Sequence, residues 1–193
     1  MNTLRTILTV LLTSLISIGC NNSKKTGSSI ESTDEMSEFI IQAANGGMME
    51  VELGRIAEEN SNNQRIKSFG AMMVKDHGEA GTELERLAME KNITLPDSIA
   101  NDHSNDIDDL RKKTGLEFDK DYVKMMINEH QKDIRKFERA AKNFSDPDVK
   151  AFASKTLPVL NRHLDSAKAI NKVVKDAIPA GNVSEGMERQ TYP

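Results

Sequence analysis

The chain has 193 residues, 29% of them charged and of mixed sign, with a formal net charge of −4 at pH 7. Such a chain lacks the clustered basic face that nucleic-acid binding needs, which argues against a nucleic-acid partner. Trp is absent and aromatic residues make up only 4% of the chain, whereas Ala, Met, Glu and Lys are abundant. This composition favours helices over strands and predicts an all-α fold.

Residues 1–19 have the layout of a secretory signal peptide. Arg5 supplies one positive charge, an apolar run covers residues 7–18, and small residues lead into the only cysteine, Cys20. The apolar run is shorter than the ~20 residues that a membrane-spanning helix needs. We therefore expect this segment to be removed and to contribute nothing to the fold.

Cys20 follows the leader directly and resembles the lipidated first residue of a lipoprotein, although Ser17 stands where Leu is preferred. A plain signal peptide followed by a free cysteine is the alternative. The lipoprotein reading predicts a flexible linker over residues 20–33 and a lipid anchor in the membrane. It places the protein in the cell envelope, in the outer membrane, facing the periplasm or the exterior.

Four long helices and a short one are predicted after the linker. Ser32 and Glu35 fit a capping box before the first apolar-periodic run. Gly46 and Gly47 interrupt that run and indicate close packing or a bend. The predicted helices run from Ser32 to about Asn60, from the 60–63 turn to about Lys91, over 106–113, from about Asp119 to Lys142, and from the N-cap Asp146 to about Lys175, with a kink near Pro158.

These helices form two tight hairpins joined by one long connection, which is the ferritin-like arrangement of a four-helix bundle. The bundle is expected over residues 34–176, followed by a disordered tail over 177–193. An offset of 83 residues overlays the two hairpins without a gap, pairing Asn60 with Asn143 and Phe69 with Phe152. Shared amphipathic periodicity would explain the apolar matches but not the asparagines, so we predict an internal duplication.

Three sequence runs carry a family resemblance. Residues 39–57 contain Ala-Ala-Asn-Gly-Gly and Glu-Val-Glu-Leu-Gly, residues 73–77 read Met-Val-Lys-Asp-His, and residues 151–158 read Ala-Phe-Ala-Ser-Lys-Thr-Leu-Pro. They resemble a bacterial family of predicted outer-membrane proteins, catalogued as domain of unknown function 4142 and grouped with ferritin-like folds. The resemblance covers nearly all of residues 39–168. It implies a fold and an envelope location, but no activity.

Five ionisable residues are predicted to share one layer of the bundle core. A rotation of about 100° per residue places His77, His130 and His163 within the apolar stripes of three helices. Glu50 lies on the inner face of the first helix, and the duplication equates it with Asp133. Their heights along the bundle differ by only about 9 Å. His103 lies in the connection and does not belong to this layer.

Two main interpretations of this layer stay open, beside a third in which the histidines are partly exposed in a groove. Buried ionisable groups must be satisfied, and a mononuclear site with imidazole and carboxylate ligands would do so with zinc or iron. Met73 and Met126 lie one turn before His77 and His130 and suggest a Cu(I) variant, although buried methionines are usually core. A standard di-iron site is not expected, because no histidine follows the Glu-x-x-His pattern.

The second interpretation is a structural network of hydrogen bonds and ordered water that needs no ligand. Asp76, Glu52 and Glu129 are read as ordinary solvated charges. The preferred prediction is a non-enzymatic envelope protein with a structural or stress-protective role. The alternative is a metal-binding (Zn, Fe or Cu) or metal-dependent redox protein. A protein partner or a homo-oligomer is compatible with either.

Overall fold

The computed structural model describes residues 27–177, and within them the side chains of residues 34–100 and 104–177. This part of the chain contains five helices and no strand. Cys20, the predicted leader and nearly all of the predicted tail lie outside it. The helices are α1 (Gly27–Asn60), α2 (Gln64–Glu90), α3 (Asn101–Arg111), α4 (Gly115–Asn143) and α5 (Pro147–Asp176).

Two antiparallel hairpins, α1 with α2 and α4 with α5, pack side by side into a four-helix bundle. α1 packs on α4 and α2 packs on α5, while the short α3 lies in the long connection and touches α1 and α4. One long crossover between two hairpins is the connectivity of ferritin-like bundles. The predicted all-α bundle is therefore confirmed. None of the described helices has a stretch long and apolar enough to cross a bilayer.

The two hairpin turns are built alike. Asn63 caps α2 by accepting a hydrogen bond from the Arg65 backbone N–H, and Asp146 caps α5 by accepting from Asp148 and Val149. In both turns, the cap side chain accepts hydrogen bonds from backbone N–H groups that have no partner within the first turn of the helix. α1 and α4 end, and α2 and α5 begin, 83 residues apart, as the duplication predicts. α5 begins at Pro147 as predicted and stays helical through Pro158.

Three helices begin earlier than the sequence predicts. α1 is already helical from Gly27, so Ser32 lies inside it and residues 27–33 are helix rather than linker. No Pro or Gly stands between residues 28 and 45, so nothing in the sequence ends the helix there. α3 begins at Asn101 and α4 at Gly115, which has φ +59°, a backbone conformation that favours glycine.

α1 and α2 approach most closely at a pair of glycines. A Cβ added to Gly54 would lie 2.6 Å from the Gly70 carbonyl oxygen, and one on Gly70 would lie 2.5 Å from that of Gly54. Gly46 and Gly47 do not have this role. A Cβ on Gly47 would meet nothing within 4 Å, and one on Gly46 would meet only Asp133, at 3.8 Å. The close helix contact is therefore about two turns further along α1 than the sequence suggested.

The core has two apolar clusters with a polar layer between them. One cluster is built around Leu53, Met73, Tyr122 and the C-terminal part of α5. The other is built around Phe39, Leu84, Phe137 and Phe152, whose rings include an edge-on pair 5.1 Å apart. Along every long helix, the residues of the layer stand near the junction of the two clusters.

Candidate metal centre

Each long helix contributes one buried ionisable side chain to the polar layer. Glu50 comes from α1, His77 from α2, His130 from α4 and His163 from α5. His130 and His163 are fully buried, and Glu50 and His77 are 1% and 8% exposed. The three imidazole centroids lie 5.2 to 5.6 Å apart. The structure thus brings together four of the five residues that were predicted to share a layer.

Glu50 fixes the protonated nitrogen of His77. Its Oε2 lies 3.0 Å from His77 Nδ1. Burial raises the pKa of Glu50, but attraction to His77 and His130 outweighs this and lowers the pKa to about 2. The carboxylate is therefore ionised and can only accept, so His77 donates from Nδ1. The other nitrogen, Nε2, is buried and has no hydrogen-bond partner among the described residues.

His130 is fixed by a backbone carbonyl. Its Nδ1 lies 2.9 Å from the Met126 carbonyl oxygen, which can only accept a hydrogen bond. Nδ1 therefore carries the proton and donates it, with Glu50 Oε1 also 3.2 Å away. Burial lowers the pKa of His130 despite the nearby Glu50 charge. The neutral ring keeps its lone pair on Nε2, which points at His163.

Asp76 fixes His163 in the same manner. Asp76 Oδ2 accepts from His163 Nε2 at 2.9 Å and from Arg162 at 2.8 Å. Burial raises the pKa of Asp76, but these hydrogen bonds outweigh it and lower the pKa, so the group is a carboxylate. Burial lowers the pKa of His163 to about 4. The neutral ring therefore has its lone pair on Nδ1, 3.2 Å from His130 Nε2.

One ring nitrogen from each of the three histidines lies near the others in the polar layer. One ring nitrogen of each of His77, His130 and His163 lies within 4.8 Å of those of the other two. Tetrahedral zinc with Zn–N bonds of about 2.05 Å holds its nitrogen ligands about 3.3 Å apart. The 3.2 Å between His130 Nε2 and His163 Nδ1 already matches that separation. The other separations, which are at most 4.8 Å, would have to shorten by up to about 1.5 Å for all three nitrogens to bind one ion.

Histidines that ligate metals usually donate their second N–H to a carboxylate or a backbone carbonyl, which fixes the tautomer. Here the acceptors are Glu50 for His77, the Met126 carbonyl for His130, and Asp76 for His163. All three rings therefore have the support that such ligands have. The geometry and the chemistry of this donor set fit a divalent ion.

Asp133 lies beside the layer rather than in contact with its imidazoles. Its Oδ1 accepts from Lys136 at 3.2 Å, and within the described residues no hydrogen bond or ion pair joins it to a histidine. Burial and the charge of Glu50 raise its pKa to about 6. Asp133 faces a cavity instead of the converging nitrogens.

The Met73 and Met126 side chains are fully buried in the first apolar cluster, among Phe69 and Tyr122. This is the behaviour of core methionines. Met126 serves the centre through its backbone carbonyl and not through its sulfur.

Asp76 is the residue that the sequence reading missed. Its side chain is only 11% exposed and holds His163 across the α2–α5 interface, 87 residues away. The one local feature of the sequence that could have indicated its role was its position next to His77, on the flank of the apolar stripe of α2. Which flank meets a neighbouring helix depends on the packing of the bundle, so an isolated helix pattern does not show it.

A cavity of about 460 Å³ lies between α1 and α2 and reaches this centre. His77, Glu50 and Asp133 stand in its wall, and residues 95–99 of the connection close one side. We call it the α1–α2 cleft. Its small and apolar lining includes Gly47, Gly81, Leu84, Phe137, Phe152 and Leu160.

Residues 21–170 match the family described as "Domain of unknown function (DUF4142)". The chain belongs to this family. The resemblance predicted from its three sequence runs is thereby confirmed. No curated protein matches the DUF4142 chain. Its fold is similar to the crystal structure of a DUF305 fragment from Deinococcus radiodurans, with a TM-score of 0.65 and 12% identity, over 72% of this chain and 95% of that one. At this identity the likeness concerns the fold alone.

Proposed function

We propose that the DUF4142 chain binds one divalent transition-metal ion through His77 Nε2, His130 Nε2 and His163 Nδ1. The observation that carries this proposal is the pair of nitrogens 3.2 Å apart on His130 and His163. Both rings donate from their other nitrogen to groups that can only accept, so two lone pairs face each other. Such a pair is repulsive unless a cation lies between them.

A proton is the simplest cation that would relieve this repulsion, and it corresponds to the structural network. It joins only two nitrogens, however, and leaves the buried Nε2 of His77 without a partner. Burial also lowers the pKa of His130 and of His163, which disfavours a proton on either ring. A metal ion satisfies all three nitrogens at once. The geometry therefore favours metal binding over the ligand-free network.

The charges around the centre favour a divalent ion. Glu50 and Asp76 are both ionised, with their pKa values lowered, and each supports a ligating ring. One buried and one partly buried negative charge balance an M²⁺ ion held by three imidazoles. Imidazole suits zinc, copper, iron and nickel. Zinc is the first candidate because three histidines are a known zinc ligand set, and the His130 and His163 nitrogens already have the spacing of a tetrahedral site. Iron or copper in the same site would make a redox protein.

We further propose that this metal-binding bundle is anchored by lipid at Cys20 in the cell envelope, in the outer membrane. The leader-like layout of residues 1–19 and the cysteine that follows it support this proposal. A Cys20→Ser variant should be released from the membrane fraction of expressing cells. The same variant remaining in that fraction would contradict the anchor.

Metal content tests the metal-binding proposal. We expect about one metal ion per chain, measured by elemental mass spectrometry, when the chain is purified without a His tag or chelator. The double variant His130→Ala, His163→Ala should bind none. His103→Ala removes the fourth histidine of the chain and should keep the ion. If the parent protein contains no metal and takes up no zinc, iron or copper, the metal-binding proposal is wrong and the polar layer has a structural role.

A further inference from the structure

We propose that the metal ion keeps one coordination position open to the α1–α2 cleft, and that this position takes small neutral ligands in preference to anions. This inference rests on the metal site proposed above. It goes further because it assigns a ligand class and an entry route, which a closed structural site would lack.

The donor count carries the first step. The group of potential ligands in the described part of the chain contains three imidazoles and no fourth His, Cys, Asp or Glu. Glu50 and Asp76 are each engaged with the protonated side of a ring. Structural zinc sites are closed by four protein ligands, whereas sites with three protein ligands hold water or substrate in the fourth position.

The cleft supplies the route to that position. Of the three histidines, only His77 lines it, so the cleft reaches the ion from the His77 side. Gly81 lies one turn after His77 on the same face of α2, and Gly47 lies one turn before Glu50 on α1. A Cβ at either glycine would meet nothing within 4 Å. The two glycines thus leave open space where other residues would narrow the cleft.

The charges of the cleft select the ligand. Arg55 is the one Lys or Arg side chain among the described residues that line it. A cleft lined mainly by one sign of charge, with apolar walls, focuses its field and repels ions of that sign. We therefore expect small neutral molecules to enter more readily than small anions. The carboxylates that line the cleft are Glu50, Glu52, Glu85, Asp97 and Asp133.

Cobalt(II) gives this inference a direct test, because its visible spectrum reports the number and type of its ligands. The purified chain is loaded with cobalt, its metal content is measured, and it is titrated with neutral imidazole and, separately, with azide. We expect both to change the spectrum, with imidazole binding at least about tenfold more tightly than azide. Absence of bound cobalt would overturn the metal site itself. Bound cobalt whose spectrum neither probe changes would overturn only the open position, and tighter binding of azide would overturn the preference.

Two variants test the route. Gly81→Leu and Gly47→Leu place a side chain in the cleft from opposite walls and should weaken imidazole binding by about tenfold or more while cobalt stays bound. Glu79→Leu is the matched control, because Glu79 is an exposed residue of α2 that does not line the cleft. Circular dichroism checks that each variant is folded. Imidazole affinity within about twofold of the parent in both glycine variants would show that the ligand enters elsewhere.

Discussion

Glu50→Gln should separate metal binding from folding. Glu50 accepts from His77 Nδ1 at 3.0 Å, and its other oxygen lies 3.2 Å from His130 Nδ1. A glutamine keeps the shape but turns one acceptor into an N–H₂ donor, which then faces an N–H of one of the two rings. The amide cannot accept from both rings, so the support that Glu50 gives to the ligating arrangement is weakened. The substitution also removes one of the two charges that balance the ion.

Loss of one such supporting group typically lowers metal affinity 10- to 100-fold. Because Glu50 holds His77 and its charge also lies 3.2 Å from His130 Nδ1, we expect the upper end, about 100-fold, or about 2.7 kcal/mol. Competition with a chromophoric zinc chelator measures the affinity, and circular dichroism confirms the helical fold. Glu59→Gln, an exposed change on the same helix, is the matched control and should leave zinc affinity unchanged. A folded Glu50→Gln protein with zinc affinity within about threefold of the parent would refute the assigned tautomers.

Three further results are expected. Asp76→Asn should weaken zinc binding about tenfold, measured by the same competition, because the amide no longer fixes the His163 tautomer; unchanged affinity would contradict that role. The charge of Glu50 outweighs burial and raises the pKa of His77, so its proton competes with the metal. Zinc affinity should therefore fall about tenfold per pH unit as the pH drops below the pKa of His77. An affinity that stays constant from pH 7 to pH 5 would show that no proton on His77 competes with the metal. Gly54→Ala should destabilise the protein by about 1–3 kcal/mol in thermal unfolding, because its Cβ overlaps the facing backbone. Gly47→Ala should stabilise it by about 0.5–1 kcal/mol, and equal effects of the two would contradict the helix packing.

Helical periodicity was enough to place the three histidines. Their positions within the apolar stripes, and their heights above the hairpin turns, follow from a rotation of 100° and a rise of 1.5 Å per residue. The structure accordingly brings His77, His130, His163 and Glu50 together. Asp133 was placed by the duplication at the same height, but Lys136 holds its carboxylate and it faces the cleft.

What the sequence did not show depends on the contacts between helices. Asp76 lies on the flank of its stripe, and only the packing of α2 against α5 turns it from a surface charge into the partner of His163. The tautomers depend on the Met126 carbonyl, and no residue pattern identifies which backbone carbonyl meets a ring. The close contact of Gly54 with Gly70 likewise requires the crossing of two helices. The adjacent pair Gly46 and Gly47 is the more conspicuous feature of the sequence, but neither residue lies at a close helix contact.

Diffraction from zinc-soaked crystals at the zinc absorption edge tests the central claim most directly. We predict one anomalous peak in the polar layer, about 2.0–2.1 Å from His77 Nε2, His130 Nε2 and His163 Nδ1, with Glu50 and Asp76 on the far side of the rings. Zinc bound only at surface carboxylates, with the three imidazoles linked by ordered water, would contradict the account and assign the layer to the structure of the bundle.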